Sequence, residues 1–164
     1  MKQALFIGQA PPRIADEIPF GRTHLYRWLA SVGIDPEKAA RDFAFTALMD
    51  TFPGLKGSSH RVPTPEEILQ NQPRLVSMIE AIRPTVIVPV GALSMREVLQ
   101  QPTTPLQKLV GHRFEVHPFG LATLPKTAVI PIPHPSGAST WQYQPGNKEL
   151  LQKALELLAH EVQK

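Results

Sequence analysis

Apolar residues gather in four short runs, at positions 3–8, 43–48, 85–90 and 128–132, and each run is nearly continuous rather than alternating. Strands with that pattern are covered on both faces, as in a parallel sheet. Between the runs the apolar spacing lengthens to that of a helix. Positions 23–32 set Leu25, Trp28, Leu29 and Val32 on one face and stop at Gly33. Thr64 caps a second helix, with Pro65 at its first position and Glu66 and Glu67 in its first turn; Pro73 is expected to kink or interrupt it before Pro84. Positions 92–100 make a short helix. Positions 147–163 carry Leu150, Leu151, Ala154, Leu157 and Leu158 on one stripe, the pattern of a docked C-terminal helix. This alternation predicts the α/β class: a three-layer α/β/α sandwich with a central four-stranded parallel sheet.

Length adds that 164 residues suit one domain, spanning 1–164, able to bury roughly 70% of its unfolded surface. With 42% of residues apolar or aromatic and 19% charged, disorder is not expected. No apolar run approaches the ~18 residues of a membrane span, and the apolar stretch near the N-terminus is too short for a signal peptide. The expectation is a soluble, cytoplasmic monomer with no membrane partner. The absence of cysteine excludes disulfides, a thiolate nucleophile, Cys-ligated zinc and iron–sulfur clusters. A net charge of +3 permits a polyanionic partner and equally fits a solvated surface. Proline is the outlier, at 18 of 164 residues against a usual ~5%. The prolines stand singly among periodic segments, so they shape ordered loops.

In an open parallel sheet, ligands bind beyond the carboxyl ends of the strands. The chain's unusual residues fall in the loops that follow three strands, at 9–22, 51–64 and 133–144. In the first, Gly8-Gln9-Ala10-Pro11-Pro12 makes a rigid turn with exposed N–H groups. Phe20, set between Pro19 and Gly21, is either a hydrophobic staple for the next helix or a platform for a flat ring. In the third, His134 stands between Pro133 and Pro135, ahead of Ser136, Gly137 and Ala138. The flanking prolines fix the imidazole direction, and a preorganised donor aimed at developing negative charge is a large catalytic lever. The remaining histidines show no metal-ligand spacing. Neither a metal nor any other cofactor is expected.

Gly8-Gln9-Ala10-Pro11, Asp16, Pro19-Phe20-Gly21 and, much later, His134-Pro135-Ser136-Gly137 together resemble the motifs of the uracil-DNA glycosylase superfamily. Between them, the segment from Arg61 to Ile68 and the segment from Arg83 to Ala92 are similar to the bacterial and archaeal four-cysteine branch, of which this chain would be a cysteine-free relative. The resemblance implies the four-stranded parallel sheet. It also implies a DNA partner carrying uracil or a related deaminated base, which is extruded into a pocket and cut from its sugar, as in base excision repair of DNA damage. On the matching positions, Phe20 would stack on the base, and Gly8, Gln9, Ala10 and Thr46 would contact it. His134 would donate to its oxygen as charge builds, and Ser136, Gly137 and Ala138 would press on the DNA backbone. Arg61, with Arg13, Arg22, Lys56, His112 and Arg113, is a candidate for phosphate contact.

Three positions depart from the family pattern. Ala10 stands where the best-known branch has a water-orienting carboxylate, which leaves Asp16, then Glu17, to balance the sugar cation. Gln9 stands where the four-cysteine branch has Glu. Ala47 replaces an amide that reads the uracil edge, so Thr46, Ser58, Ser59 or His60 would have to substitute. These departures keep a second reading open, a module that binds a base or nucleic acid without cleaving it. A hydrolase built on Ser136 and His134 ranks last, because one intervening proline does not orient a nucleophile toward its base.

Overall fold

Strand β1 (Ala4–Gly8) is buried along its whole length and lies inside the sheet, one strand from its edge. In the computed structural model, which describes residues 2–12, 18–56, 59–137 and 139–163, it is followed by α1 (Leu25–Ala30), α2 (Pro36–Asp42) and β2 (Phe43–Ala47). A short hairpin, β3 (Leu55–Lys56) and β4 (Ser59–His60), leads to the long α3 (Pro65–Ile82). Then come β5 (Val86–Pro89), α4 (Ala92–Leu99), β6 (Phe114–Val116), β7 (Thr127–Val129) and α5 (Asn147–Val162).

The main sheet has the order β2-β1-β5-β7-β6, and helices flank it. The four strands expected from the sequence are present and mutually parallel. A fifth, β6, pairs antiparallel with β7 at the edge, so the central sheet is five-stranded rather than four-stranded. Its three residues are half-buried or exposed, with Glu115 pointing out, and so short an edge strand leaves no apolar run to read. Helix α2 also went unread. Asp35 accepts a hydrogen bond from the Lys38 N–H at 2.8 Å and Pro36 sits at the first position, a good N-terminal signal. No breaker separates its end from β2, which starts at the very next residue. Pro73 interrupts nothing: α3 runs through it for 18 residues. The ring is on the exposed face, where the carbonyl left without its helical donor can turn to water.

Register explains where the loops go. Gly8 pairs with Ala47, and Ile7 with Pro89, while a bridge between Val90 and Ile132 carries β5 and β7 one step further. All four parallel strands therefore end at one edge. β1 has β2 on one side and β5 on the other, and the loops leaving it and its neighbours diverge there, the usual place for a crevice. Both faces of this sheet are covered, since β1 and β5 contain no exposed residue. Among the described residues, no helix is long and apolar enough to cross a membrane.

One buried polar contact ties helix to sheet beneath that edge. The Ser94 hydroxyl, fully buried in α4, donates to the Ile7 carbonyl at 2.6 Å. That same carbonyl accepts the Val90 N–H at 2.8 Å, so removing the hydroxyl orphans no acceptor. Ser94→Ala should therefore lower the free energy of unfolding by only about 1 kcal/mol. Chemical denaturation measures this, and a loss of several kcal/mol would show that the serine does more than donate one bond.

Candidate active site

A cleft of about 470 Å³ opens at the carboxyl edge of the sheet. Gly8 at the end of β1 and Phe45, Thr46 and Ala47 at the end of β2 form one part of its wall. Ala10 and the prolines of the first loop form another, and Phe20, Arg74 and His134 reach it from three separate elements. The Phe20 and His134 ring centroids are 6.4 Å apart with planes inclined at 63°. Residues 114 positions apart in the chain thus meet edge to face across one opening.

Phe20 is held in an unusual backbone state. Its φ is +59°, a left-handed conformation that is an outlier for a bulky residue and costs on the order of 1–3 kcal/mol. The neighbouring bonds over-determine it. The Phe20 carbonyl accepts from both the N–H and the hydroxyl of Thr23, at 3.1 and 2.7 Å. Gly21 N–H donates to the Ile18 carbonyl at 3.0 Å, and the Tyr26 phenol donates to the Pro19 carbonyl at 2.6 Å. Burial pushes the Tyr26 pKa up, which keeps the phenol a donor. The ring itself leans on Phe45, at 6.1 Å between centroids. It also lies so near Gly8 that a Cβ there would sit 3.2 Å from the ring carbon Cζ. Glycine at the end of β1 makes room for the aromatic platform.

His134 is fixed from the opposite direction. Ser136 N–H donates to its Nδ1 at 3.1 Å, so Nδ1 is the unprotonated acceptor and the ring proton lies on Nε2. Burial holds the imidazole below its ordinary pKa of 6.5, and it is neutral at pH 7. Gly91, with φ +89° and so placed that a Cβ there would lie 3.6 Å from the His134 ring carbon Cδ2, turns the chain into α4 in a conformation that strains any residue bearing a Cβ. The two loops are also tied together: the His24 N–H, just before α1, donates to the Pro135 carbonyl at 2.9 Å.

The geometry is thus a cleft lined by an aromatic ring, a neutral imidazole and apolar side chains, opening where ligands bind in this class of sheet. A sequence model of the uracil DNA glycosylase superfamily matches residues 2–159. The chain belongs to that superfamily. It is 32% identical over 143 residues to a type-4 uracil-DNA glycosylase of Archaeoglobus fulgidus, a match covering 82% of this chain and 65% of that protein. It is also 30% identical over 131 residues to a DNA polymerase of Bacillus phage SP01, covering 80% of this chain and 12% of the polymerase. The chain thus spans just under two thirds of the first relative and about an eighth of the second.

Of the site residues proposed from the superfamily motifs, Gly8, Ala10, Phe20, Thr46 and His134 all line the cleft. Gln9 does not; its carbonyl accepts the Met49 N–H at 3.2 Å, so it closes the turn behind the wall. Ser136 and Gly137 lie on the His134 loop beyond the cleft, where the Ser136 carbonyl closes a turn to Ser139 at 3.1 Å. Asp16, Glu17, Arg13, Ser58 and Ala138 fall outside the described residues. Arg61 is placed otherwise than as a free cation. Its guanidinium grips both oxygens of Glu67 at 2.7 and 2.8 Å and donates to the Pro53 carbonyl at 2.8 Å, bracing the second loop against the start of α3. Arg113 is likewise committed, to Glu161 of α5 at 3.1 Å, beside the far edge strand β6. Among the described residues, no group of three or more His, Asp or Glu side chains is arranged to hold a metal ion.

Two charged lining side chains were not anticipated. Asp50, exposed just beyond β2, brings a carboxylate to the cleft. Arg74, from the second half of α3, reaches the end of β2, donating to the Thr46 hydroxyl at 2.9 Å and the Ala47 carbonyl at 2.7 Å. Nothing local in the sequence marks Arg74, which reads as one more cation on an amphipathic helix.

The brace under the second loop has a measurable pH signature. Arg61, and secondarily the Thr64 N–H, hold the Glu67 carboxyl at about 2 against an ordinary 4.5. A depressed carboxylate pKa gives stability that is present above the unfolded-state value and lost as pH falls toward the folded one. Melting temperature should thus fall between pH 4.5 and 2 in the native protein. Arg61→Met should start lower at neutral pH and show a shallower acid decline, and equal slopes for the two proteins would refute the linkage.

Proposed function

We propose that this chain is a monofunctional DNA glycosylase that draws uracil or a related deaminated base out of DNA and hydrolyses its N-glycosidic bond. The observation that carries this reading is the pairing of Phe20 and His134 across one cleft, in a chain of this superfamily. Extruding a base costs a few kcal/mol of stacking and pairing, least where the base is mismatched or unpaired. Stacking on an aromatic face returns about 1–3 kcal/mol, and Phe20 offers that face.

Chemistry follows from charge. As the bond between C1′ and the base nitrogen breaks, its electron pair leaves with the base, and the sugar becomes an oxocarbenium cation. The neutral His134, its proton on Nε2, donates to the base oxygen on which negative charge collects, without first having to lose or gain a proton. Water then adds to C1′ and gives up a proton. Asp16 is the carboxylate we assign to stabilise the cation and take that proton, with Asp50 as the nearest described alternative on the cleft wall.

The test is cleavage of uracil-containing single- and double-stranded oligonucleotides, read as alkali-labile abasic sites under single-turnover conditions. His134→Ala should lower the rate roughly 10²–10³-fold, the usual cost of one preorganised donor. Phe20→Ala should lower it roughly 5- to 150-fold, and Asp16→Asn should also lower it. Tight base or DNA binding with no turnover under any sequence context would turn the reading to a non-catalytic binding module on the same fold.

A second measurement is the pH profile. Protonating His134 would place a hydrogen on Nδ1, facing the Ser136 N–H, and break the bond that aims the ring. Because burial lowers this pKa, the rate should stay level as pH falls to 6.5 and drop only below that value. A decline centred above 6.5 would contradict a buried, neutral imidazole.

A further inference from the structure

Arg74 presents an unfinished set of hydrogen bonds at the floor of this cleft. A guanidinium carries five N–H donors and no acceptor. One hydrogen on each terminal nitrogen is taken, by the Thr46 hydroxyl and the Ala47 carbonyl. Among the described residues the Nε–H, sealed from solvent, has no partner, and no carboxylate forms an ion pair with Arg74. A sealed Nε–H is out of a ligand's reach, so it is the second hydrogen on each terminal nitrogen of this cleft-lining side chain that a ligand can take. The residue is also poised where sequence reading found a gap: Ala47 has no side chain able to read a base edge, and Arg74 stands over its carbonyl.

Resting on the glycosylase reading above, we infer that Arg74 is the specificity-determining residue of this cleft, selecting bases that present a carbonyl acceptor over those that present an amine. The argument is one of complementarity. A donor-only group is matched by an edge of acceptors and mismatched by an exocyclic amine. Deaminating cytosine or adenine converts an amino donor into a carbonyl acceptor. Uracil then presents O4, and hypoxanthine presents O6 beside N7, the adjacent acceptor pair on which arginine forms its commonest two-pronged base contact. Cytosine and adenine would set N–H against N–H. Guanine and thymine share the acceptor edge, so what sets them apart is the cost of unpairing them from a duplex. The discrimination Arg74 makes is between carbonyl-bearing and amino-bearing bases. Because its charge is permanent, the same contact strengthens as the leaving base turns anionic, so it acts on the chemical step as well as on binding.

The experiment compares the native chain with Arg74→Gln and Arg74→Lys. Duplexes carry uracil or cytosine opposite G, and hypoxanthine or adenine opposite T; cleavage is followed in single turnover, and the folding of each variant is checked by thermal melting. Binding of the four free bases is measured alongside by calorimetry. The native chain should cleave uracil and hypoxanthine at least 100-fold faster than cytosine and adenine. Arg74→Gln, whose amide can accept as well as donate, should narrow both ratios at least tenfold. Arg74→Lys keeps donors only but loses the planar fork, so it should lower hypoxanthine cleavage at least tenfold more than uracil cleavage. That contrast stands by itself if the glutamine variant does not fold. Hypoxanthine neither bound nor cleaved while uracil is, or ratios unchanged in both variants, would overturn the inference. If the native chain cleaves no base, the glycosylase reading fails separately, and the free bases decide about Arg74. Carbonyl-selective binding that is lost in Arg74→Gln upholds its role, and unselective or undetectable binding refutes it.

Discussion

A single backbone hydrogen bond, from the His24 N–H to the Pro135 carbonyl at 2.9 Å, does most to turn two loops into one site. The loop after β1 carries Phe20 and the loop after β7 carries His134, and the strands from which they spring are separated in the sheet by β5. Parallel pairing brings both loops to the same edge, but it does not set the angle between them. The bond does so at a point one residue beyond His134 and four beyond Phe20. Proline on either side of His134 removes backbone freedom, and the turn bonds at Thr23 remove it around Phe20. The relative placement of the two rings is therefore a property of rigid loops joined at one point, which is what a preorganised donor requires.

Stability is given up locally at the same place. The left-handed Phe20 and the Nε–H of Arg74, unpartnered among the described residues, are both unfavourable in isolation, and both residues line the cleft. Strain and unmet donors persist where the surroundings over-determine them and where a ligand completes what the fold leaves open. The core beneath is conventional by contrast. β1 and β5 have every residue buried, and Ser94 finds its acceptor on Ile7.

Legibility from the amino-acid sequence followed the range of the interactions involved. The four parallel strands, the capping of α3 at Thr64 and the stripe of α5 depend on neighbouring residues, and they were readable. Gly8, Phe20 and His134 were readable as well, because each sits in a short motif whose composition is odd for a loop. What escaped was set by distant partners. Arg61 looked like a free loop cation until the start of α3 placed Glu67 against it. β6 has three residues and takes its strand character from β7. Arg74 is the clearest case, since its importance depends on which way one helix face turns relative to the end of β2, 28 residues earlier.

The division of charge within the cleft follows from these placements. An imidazole buried among apolar walls and bonded through Nδ1 to a backbone N–H is driven toward its neutral form. It can donate a proton-bearing edge but supplies no fixed charge. A guanidinium, by contrast, is a permanent cation. A site that must hold an anion as it forms, without holding the neutral substrate too tightly, gains from having both. In the proposed reaction the neutral donor and the permanent cation both contact the base, and the cation's contribution rises as negative charge appears. The placement of Arg74 on α3, outside both motif-bearing loops, lets the cation be positioned independently of the ring and the imidazole. On the proposed reading, base selectivity is set from the helix while the two loops keep their geometry.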